Sequence, residues 1–334
     1  MASNLTTISL LASSNNVKAG IALKSDTENS ATSSISAFGS NLTEIGRERR
    51  RQTRVVTDSA SQLDLSWSAA NHVSLLPQYV MVDGHTYREG MDVSDDEIAR
   101  KIISTPPNQW PQVQAPTVDD FISTYRELSQ ETSQIISLHV SAHLSDTIRN
   151  ARIAAEEFRG RTNIAVVDSQ SVALGLNILA QNAANLASQN LVLDEIVRQT
   201  RGSLKRIYAA FIAEDLTYMA HSGTLRPAQA TLGRMLGVIP FLTIDEGEIV
   251  AIEKVRSMDR AIEKLAEFAA EFEHPQDMAV LQLLPQHNER TATLLSMLHV
   301  NFPRMRDIPL RNSGATIGSI IGPTGIGIMI YEGK

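Results

Sequence analysis

The sequence has no cysteine. That excludes disulfides, thiolate metal sites and a cysteine nucleophile, and leaves the redox compartment undecided. It has no uninterrupted apolar run of about 18 residues, so no segment is expected to span a membrane. It is short of basic residues. Thirty Lys and Arg stand against 37 Asp and Glu, a formal charge of −7. Nucleic acid is therefore not expected as a partner, because phosphate binding needs basic surface. The HExxH and GxSxG signatures are absent, as are a GxGxxG after a first strand and the Lys-Ser/Thr of a phosphate loop. The opening, MASNLTTISLLASSNNVKAG, lacks the basic start and compact apolar stretch of a secretory signal, so the cytoplasm is the expected location.

What is present suffices for a sizeable core. The 334 residues are 43% hydrophobic, enough for two domains. Residues 1–53 are rich in Ser, Asn, Thr and Ala with weak periodicity, and end in the basic RERRRQTR at 47–54. They read as a flexible extension. From RVVTD onward, short β-type runs alternate with amphipathic helical stretches. Strands are expected at 55–57, 134–140, 163–167, 205–213, 238–243, 248–255, 278–283 and 326–331. Helices are expected at 117–129, 146–158, 171–187, 193–204, 228–236, 259–272 and 288–299. Strands separated by helices imply crossovers and a mainly parallel sheet. YVMVDGHTYREG (79–90) carries an Asp-Gly hairpin signal. FLTIDEGEIVAIEKV (241–255) reads as a second hairpin with Gly247 in its turn. The Pro-rich STPPNQWPQVQAPT (104–117) is a loop that leaves Thr117 as the N-cap of a helix carrying Asp119 and Asp120. The pattern breaks near 214–228.

Three strand-to-helix junctions carry small hydroxyls: TDSAS (57–61), VSAHLSDT (140–147) and VDSQS (167–171). In an open α/β sheet, ligands sit outside the carboxyl ends of strands. Free N–H groups at a helix start favour an anion there. Ser59, Ser141, Ser145 and Thr147 therefore read either as ligand contacts or as plain N-caps. Asp58 and Asp168 read either as acid/base groups or as loop anchors that accept from backbone N–H. The segment GATIGSIIGPTGIGIMIY (314–331) reads as a tight turn feeding a last strand, or as a close backbone approach to a ligand. Most of the eight histidines read as surface or cap residues.

In order along residues 54–332, VVTDSASQL, VMVDGHTYREG, HVSAHLSDTIRNA, VVDSQSVALG, YMAHSGTLRPAQATLGRMLGVIPFLTIDEGEIVAIEKVRSMDRAIEKL and the terminal glycine segment together resemble the DegV family. The resemblance implies a two-domain α/β fold, a mainly parallel sheet flanked by helices plus a second, smaller α/β domain. The expected division is 54–220 and 221–334, with the 79–90 hairpin packing on the second domain. It also implies a non-enzymatic protein that needs no cofactor. Such a protein holds a long-chain fatty acid in an apolar interdomain tunnel and, in some members, presents it to a fatty acid kinase partner. The family's SSxLSGT appears as VSAHLSDT, which keeps Ser141, Leu144, Ser145 and Thr147 but places Asp146 beside them. Its TSQPS-like loop appears as VQAPT, keeping Thr117 but placing Val113 where a hydroxyl is usual. Its GGRI arginine is Thr224, with Arg226 two residues on, and its THTGPG histidine is Ile320. Ser145, Thr147, Ser141, Thr117, Ser59 and Arg226 are thus the expected head-group contacts. Met235, Leu236, Phe241 and Leu242 are the expected tail contacts. The lost Arg and His weaken pairing with a buried carboxylate. They leave open a protonated acid, a neutral lipid or another apolar ligand, or a divergent paralogue with altered or lost lipid binding that acts through protein interactions. Inward-turned hydroxyls and a plugged channel would count against a lipid carrier.

Overall fold

The computed structural model describes residues 52–106 and 109–333; the expected 1–53 extension, with its basic run, lies almost wholly outside the described residues. Four strands form the first sheet: β1 (Arg54–Asp58), β2 (Val73–Leu76), β6 (Gln134–His139) and β7 (Asn163–Asp168), in the order β2-β1-β6-β7. Every pairing is parallel. Alternation along these strands sends Val55 and Ile136 to one face and Val56 and Ile135 to the other, as the period of two requires.

The second sheet has six strands, β8 (Ile207–Ile212), β9 (Ile239–Asp245), β10 (Glu248–Val255), β11 (Pro275–Gln282), β12 (Leu310–Asn312) and β13 (Ile326–Glu332), ordered β10-β9-β8-β13-β11-β12. Only β11 and β12 pair in parallel; the other neighbours are antiparallel. β8 belongs to this sheet, so the sheets change over before residue 207 and not at 220. A third, small sheet holds β3 (Tyr79–Val82), β4 (His85–Arg88) and β5 (Gln112–Gln114) in the order β4-β3-β5. Asp83 and Gly84, both with positive φ, close the first hairpin, and Glu246 and Gly247 close the second; this is the turn geometry that matches strand twist. Val80 of the first hairpin packs with Leu283 and Ala315.

Eleven helices surround these sheets among the described residues: α1 (Leu65–Ala70), α2 (Asp95–Ser104), α3 (Val118–Glu131), α4 (Thr147–Glu156), α5 (Ala173–Ser188), α6 (Leu193–Leu204), α7 (Leu216–His221), α8 (Pro227–Met235), α9 (Met258–Ala270), α10 (Glu289–Asn301) and α11 (Gly314–Ile321). α3 and α4 cover the outer face of the first sheet through Phe121, Tyr125 and Ala151. α9 and α10 cover the outer face of the second through Leu265, Leu294 and Leu298. Between the two sheets lies α5, buried on nearly all sides, as a helix apolar around its circumference should be. Its Leu176, Leu179, Ala180 and Ala183 join Ile136 and Leu138 of one sheet to Phe211, Leu281 and Met329 of the other in a single cluster.

Candidate functional site

The junction after β1 is organised by Asp58. Its carboxylate accepts from the N–H of Ala60 at 3.1 Å and of Val140 at 3.0 Å, the loop-anchoring role. It also lies 2.9 Å from Nδ1 of His139. His139 continues through Nε2 to Ser137 Oγ at 2.6 Å, and Ser137 to the Tyr125 hydroxyl at 2.7 Å. All four side chains are fully buried. The order Asp, His, Ser is that of a hydrolytic triad, but no substrate can reach the serine, so the chain serves as packing. Burial pushes the Tyr125 hydroxyl upward, beyond its ordinary range. His139, the last residue of β6, is thus a core residue, unlike the histidines that read as surface or cap residues. Asp168 likewise anchors a loop, accepting from Gln170 N at 2.9 Å and Ala142 N at 3.4 Å.

The six expected head-group residues do not converge on one opening. Ser59 is buried; its hydroxyl donates to Glu89 at 2.7 Å and accepts from Gln78 N at 2.8 Å. Ser141 is buried and donates to the carbonyl of Gly247 at 2.7 Å. Ser145 and Thr147 lie 2.8 Å apart, and Gln78 Nε2 donates to Thr147 at 3.0 Å. Thr117 forms a capping box with Asp120 at the start of α3. Arg226, at the exposed start of α8, turns its Nε to Gln229 at 3.2 Å. These groups serve as caps and cross-links, bonding carboxyl, amide, hydroxyl or backbone groups of the protein itself. The expected tail residues also scatter. Met235 and Leu236 are 80% and 63% exposed, while Phe241 and Leu242 are buried on opposite faces of β9 in separate clusters.

The three replacement positions do meet. Val113, Thr224 and Ile320 all line one cavity of about 570 Å3. Its walls come from β5 and the loop before it, the loop after β6, the end of α7 and one face of α11. Thr316, Ser319 and Ile320, spaced three and four apart, form that helical face. The segment that read as a glycine turn is therefore helical over Gly314–Ile321 before it turns into β13. On the opposite wall Trp110 stacks on His221 at 4.0 Å and meets Tyr218 edge-on at 5.0 Å. Ser222 and Thr224 hydroxyls lie 2.9 Å apart, and Ser319 donates to the Thr316 carbonyl. The hydroxyl of Thr316, a residue only 2% exposed, has no partner. Behind Ile320, the side chains of Ile317, Leu216, Met219 and Ala230 fill one packed cluster, with Leu225 against it. Sequence reasoning missed Trp110, His221 and Thr316. All three sit in segments that stood apart as interruptions: the Pro-rich loop, the 214–228 break and the terminal glycine stretch.

Burial leaves a second unusual group. Glu89 is wholly buried, and that pushes its carboxyl from 4.5 up to about 7. It accepts from Ser59, from Gln62 at 3.3 Å and from the N–H of Ala315 at 2.8 Å in the first turn of α11. Among the described residues no cluster of His, Asp and Glu could hold a metal ion. Nor is any described helix long and apolar enough to cross a membrane.

Comparison with known proteins agrees with this architecture. A DegV domain-containing protein of Streptomyces coelicolor is 30% identical over 283 residues, 84% of this chain and 98% of its own length. The structure of a DegV family protein from Thermus thermophilus, described as fatty acid binding, superposes with a TM-score of 0.71 at 28% identity, over 84% of this chain and 99% of that one. DegV of Bacillus subtilis, described as a fatty acid binding protein, gives 0.70 at 26% identity over 84% and 99%. The family model described as "Uncharacterised protein, DegV family" matches residues 52–333, and with the parallel sheet, the antiparallel sheet and the shared helix between them, it establishes that the chain belongs to the DegV family.

Proposed function

We propose that the chain binds one long-chain acyl lipid, a fatty acid or a close derivative, and catalyses no reaction itself. The head group would occupy the cavity of about 570 Å3, which lies within the roughly 300–1,000 Å3 of ligand pockets in general. The observation that carries this reading is the meeting of Val113, Thr224 and Ile320 in that one cavity. These are the positions where the family resemblance expects head-group contacts. The fatty acid binding described for the T. thermophilus and B. subtilis relatives supports it. The tail would enter between α7 and α11, displacing part of the cluster of Ile317, Leu216 and Met219. A carrier of this kind would act in the cytoplasm and hand its ligand to an enzyme that makes an acyl phosphate. The test is native mass spectrometry of the full chain after detergent-free purification, followed by extraction. A stoichiometric acyl lipid is expected; a clean unliganded mass that also fails to load from acyl-lipid micelles would refute the reading.

A second reading, a regulatory or interaction protein that no longer carries lipid, is favoured by one observation: the expected hydroxyls are all engaged within the protein. Loss of the lipid in the experiment above, together with retention of a defined protein partner by the full chain and not by a chain lacking residues 1–53, would select it.

A further inference from the structure

Among the described residues, the lining of the cavity contains no Asp, Glu, Lys or Arg. Its polar groups are neutral hydrogen-bonding ones: the hydroxyls of Ser222, Thr224, Thr316 and Ser319 and the amides of Gln112 and Gln114, with imidazoles from His143 and His221. Arg226, the nearest arginine along the chain, is turned to Gln229 instead. A carboxylate placed here would lose its hydration without gaining a permanent counter-charge, which is costly. A hydroxyl, ester or amide head group loses far less and can both donate to and accept from the hydroxyls. Thr316 supplies a second, independent observation. The residue lines the cavity, and among the described residues its buried hydroxyl has no hydrogen-bond partner. Buried hydroxyls are normally satisfied, so this one is free to turn to an uncharged head group without breaking a bond within the protein.

Resting on the acyl-lipid reading above, we infer that the head group this chain selects is uncharged and hydrogen-bonding, as in a monoacylglycerol or a fatty alcohol, and not the carboxylate of a free fatty acid. Thr316 and Thr224 contact that head group. The selection is a charge preference set by the walls, so it is reversible by adding one cation.

The experiment uses delipidated full-length protein carrying Trp67→Phe, which leaves Trp110 in the cavity wall as the only fluorophore of its kind. Binding of 1-monopalmitoylglycerol, hexadecanol and palmitate is titrated at a single pH, 8.5. The neutral probes are expected to bind at least about tenfold more tightly than palmitate, a difference of about 1.4 kcal/mol. Thr316→Val should weaken the neutral probes about tenfold without lowering the thermal midpoint, because an unsatisfied hydroxyl contributes nothing to the empty protein. Thr224→Arg should reverse the order in favour of palmitate. Palmitate bound as tightly as the neutral probes at pH 8.5 would overturn the neutral head group while leaving the acyl-lipid reading intact. Failure of all three probes to bind would overturn both.

Discussion

Replacing Glu89 with glutamine isolates a carboxyl that burial holds well above its ordinary range. Its side chain is enclosed, with Ser59, Gln62 and the Ala315 N–H around the carboxylate. Desolvation raises it from 4.5 to about 7, opposed by the Ser59 and Ala315 hydrogen bonds and reinforced by Asp95 and Asp58. A carboxyl whose value is higher folded than unfolded holds its proton more tightly when folded. It therefore contributes stability that is complete below about pH 4.5 and lost as pH rises through about 7. At about 1.36 kcal/mol for each pH unit, that displacement amounts to about 3 kcal/mol. Glu89→Gln still offers an oxygen to Ala315 N and cannot ionise. It costs about 1 kcal/mol for rearranging the bond to Ser59 and removes the pH-dependent term. The variant should be slightly less stable than the parent at pH 5 and more stable by about 1–2 kcal/mol at pH 8. Urea denaturation of both full-length proteins at pH 5, 6, 7 and 8, with m-values compared, measures this directly. Other carboxylates add slopes of their own, but these are common to both proteins and cancel in the difference. Parallel stability curves across this range would refute the reasoning.

Removing His139 should be more damaging. His139→Ala leaves Asp58 and Ser137 buried without their shared partner and should cost about 3 kcal/mol or more in denaturant unfolding. Thr117→Ala dissolves the capping box on α3 and should cost about 1 kcal/mol, while leaving lipid loading by native mass spectrometry unchanged. Gly247→Ala adds a Cβ only 2.4 Å from Ser141 Oγ at a positive φ of 92°. The thermal midpoint should fall by several degrees, and Ser141→Ala in the same chain should recover part of that fall by clearing the clash.

The fold was largely legible because its periodic segments are long and regular. Asp-Gly at 83–84 and Glu-Gly at 246–247 close the two expected hairpins. α5 falls at the helix expected over 171–187. β2, β5 and β12 escaped because strands of three or four residues carry too few alternations to show a period. α11 escaped because glycines at 314 and 318 mimic a turn, whereas Gly318 is needed where a Cβ would meet Leu283 at 2.5 Å. Parallel pairing was expected wherever helices separate strands, and it holds throughout the first sheet. In the second it fails between β8 and β9, where two helices intervene yet the chain returns antiparallel. The site was legible by position and not by chemistry. Val113, Thr224 and Ile320 mark the cavity, but the expected hydroxyls of Ser59, Ser141 and Thr117 bond groups within the protein instead. No one-dimensional pattern distinguishes a serine that caps from one that waits for a ligand.

The helix held between the two sheets has a mechanical consequence. Because α5 contributes side chains to one cluster with both sheets, the halves of the protein have no lubricated seam along which to slide or part. On the proposed acyl-lipid reading, a guest molecule would then be admitted by the thin outer pieces, β5, the α7–α8 corner and α11, and not by parting of the two sheets. Amide protons of α5 should accordingly be among the last to exchange, whatever occupies the cavity.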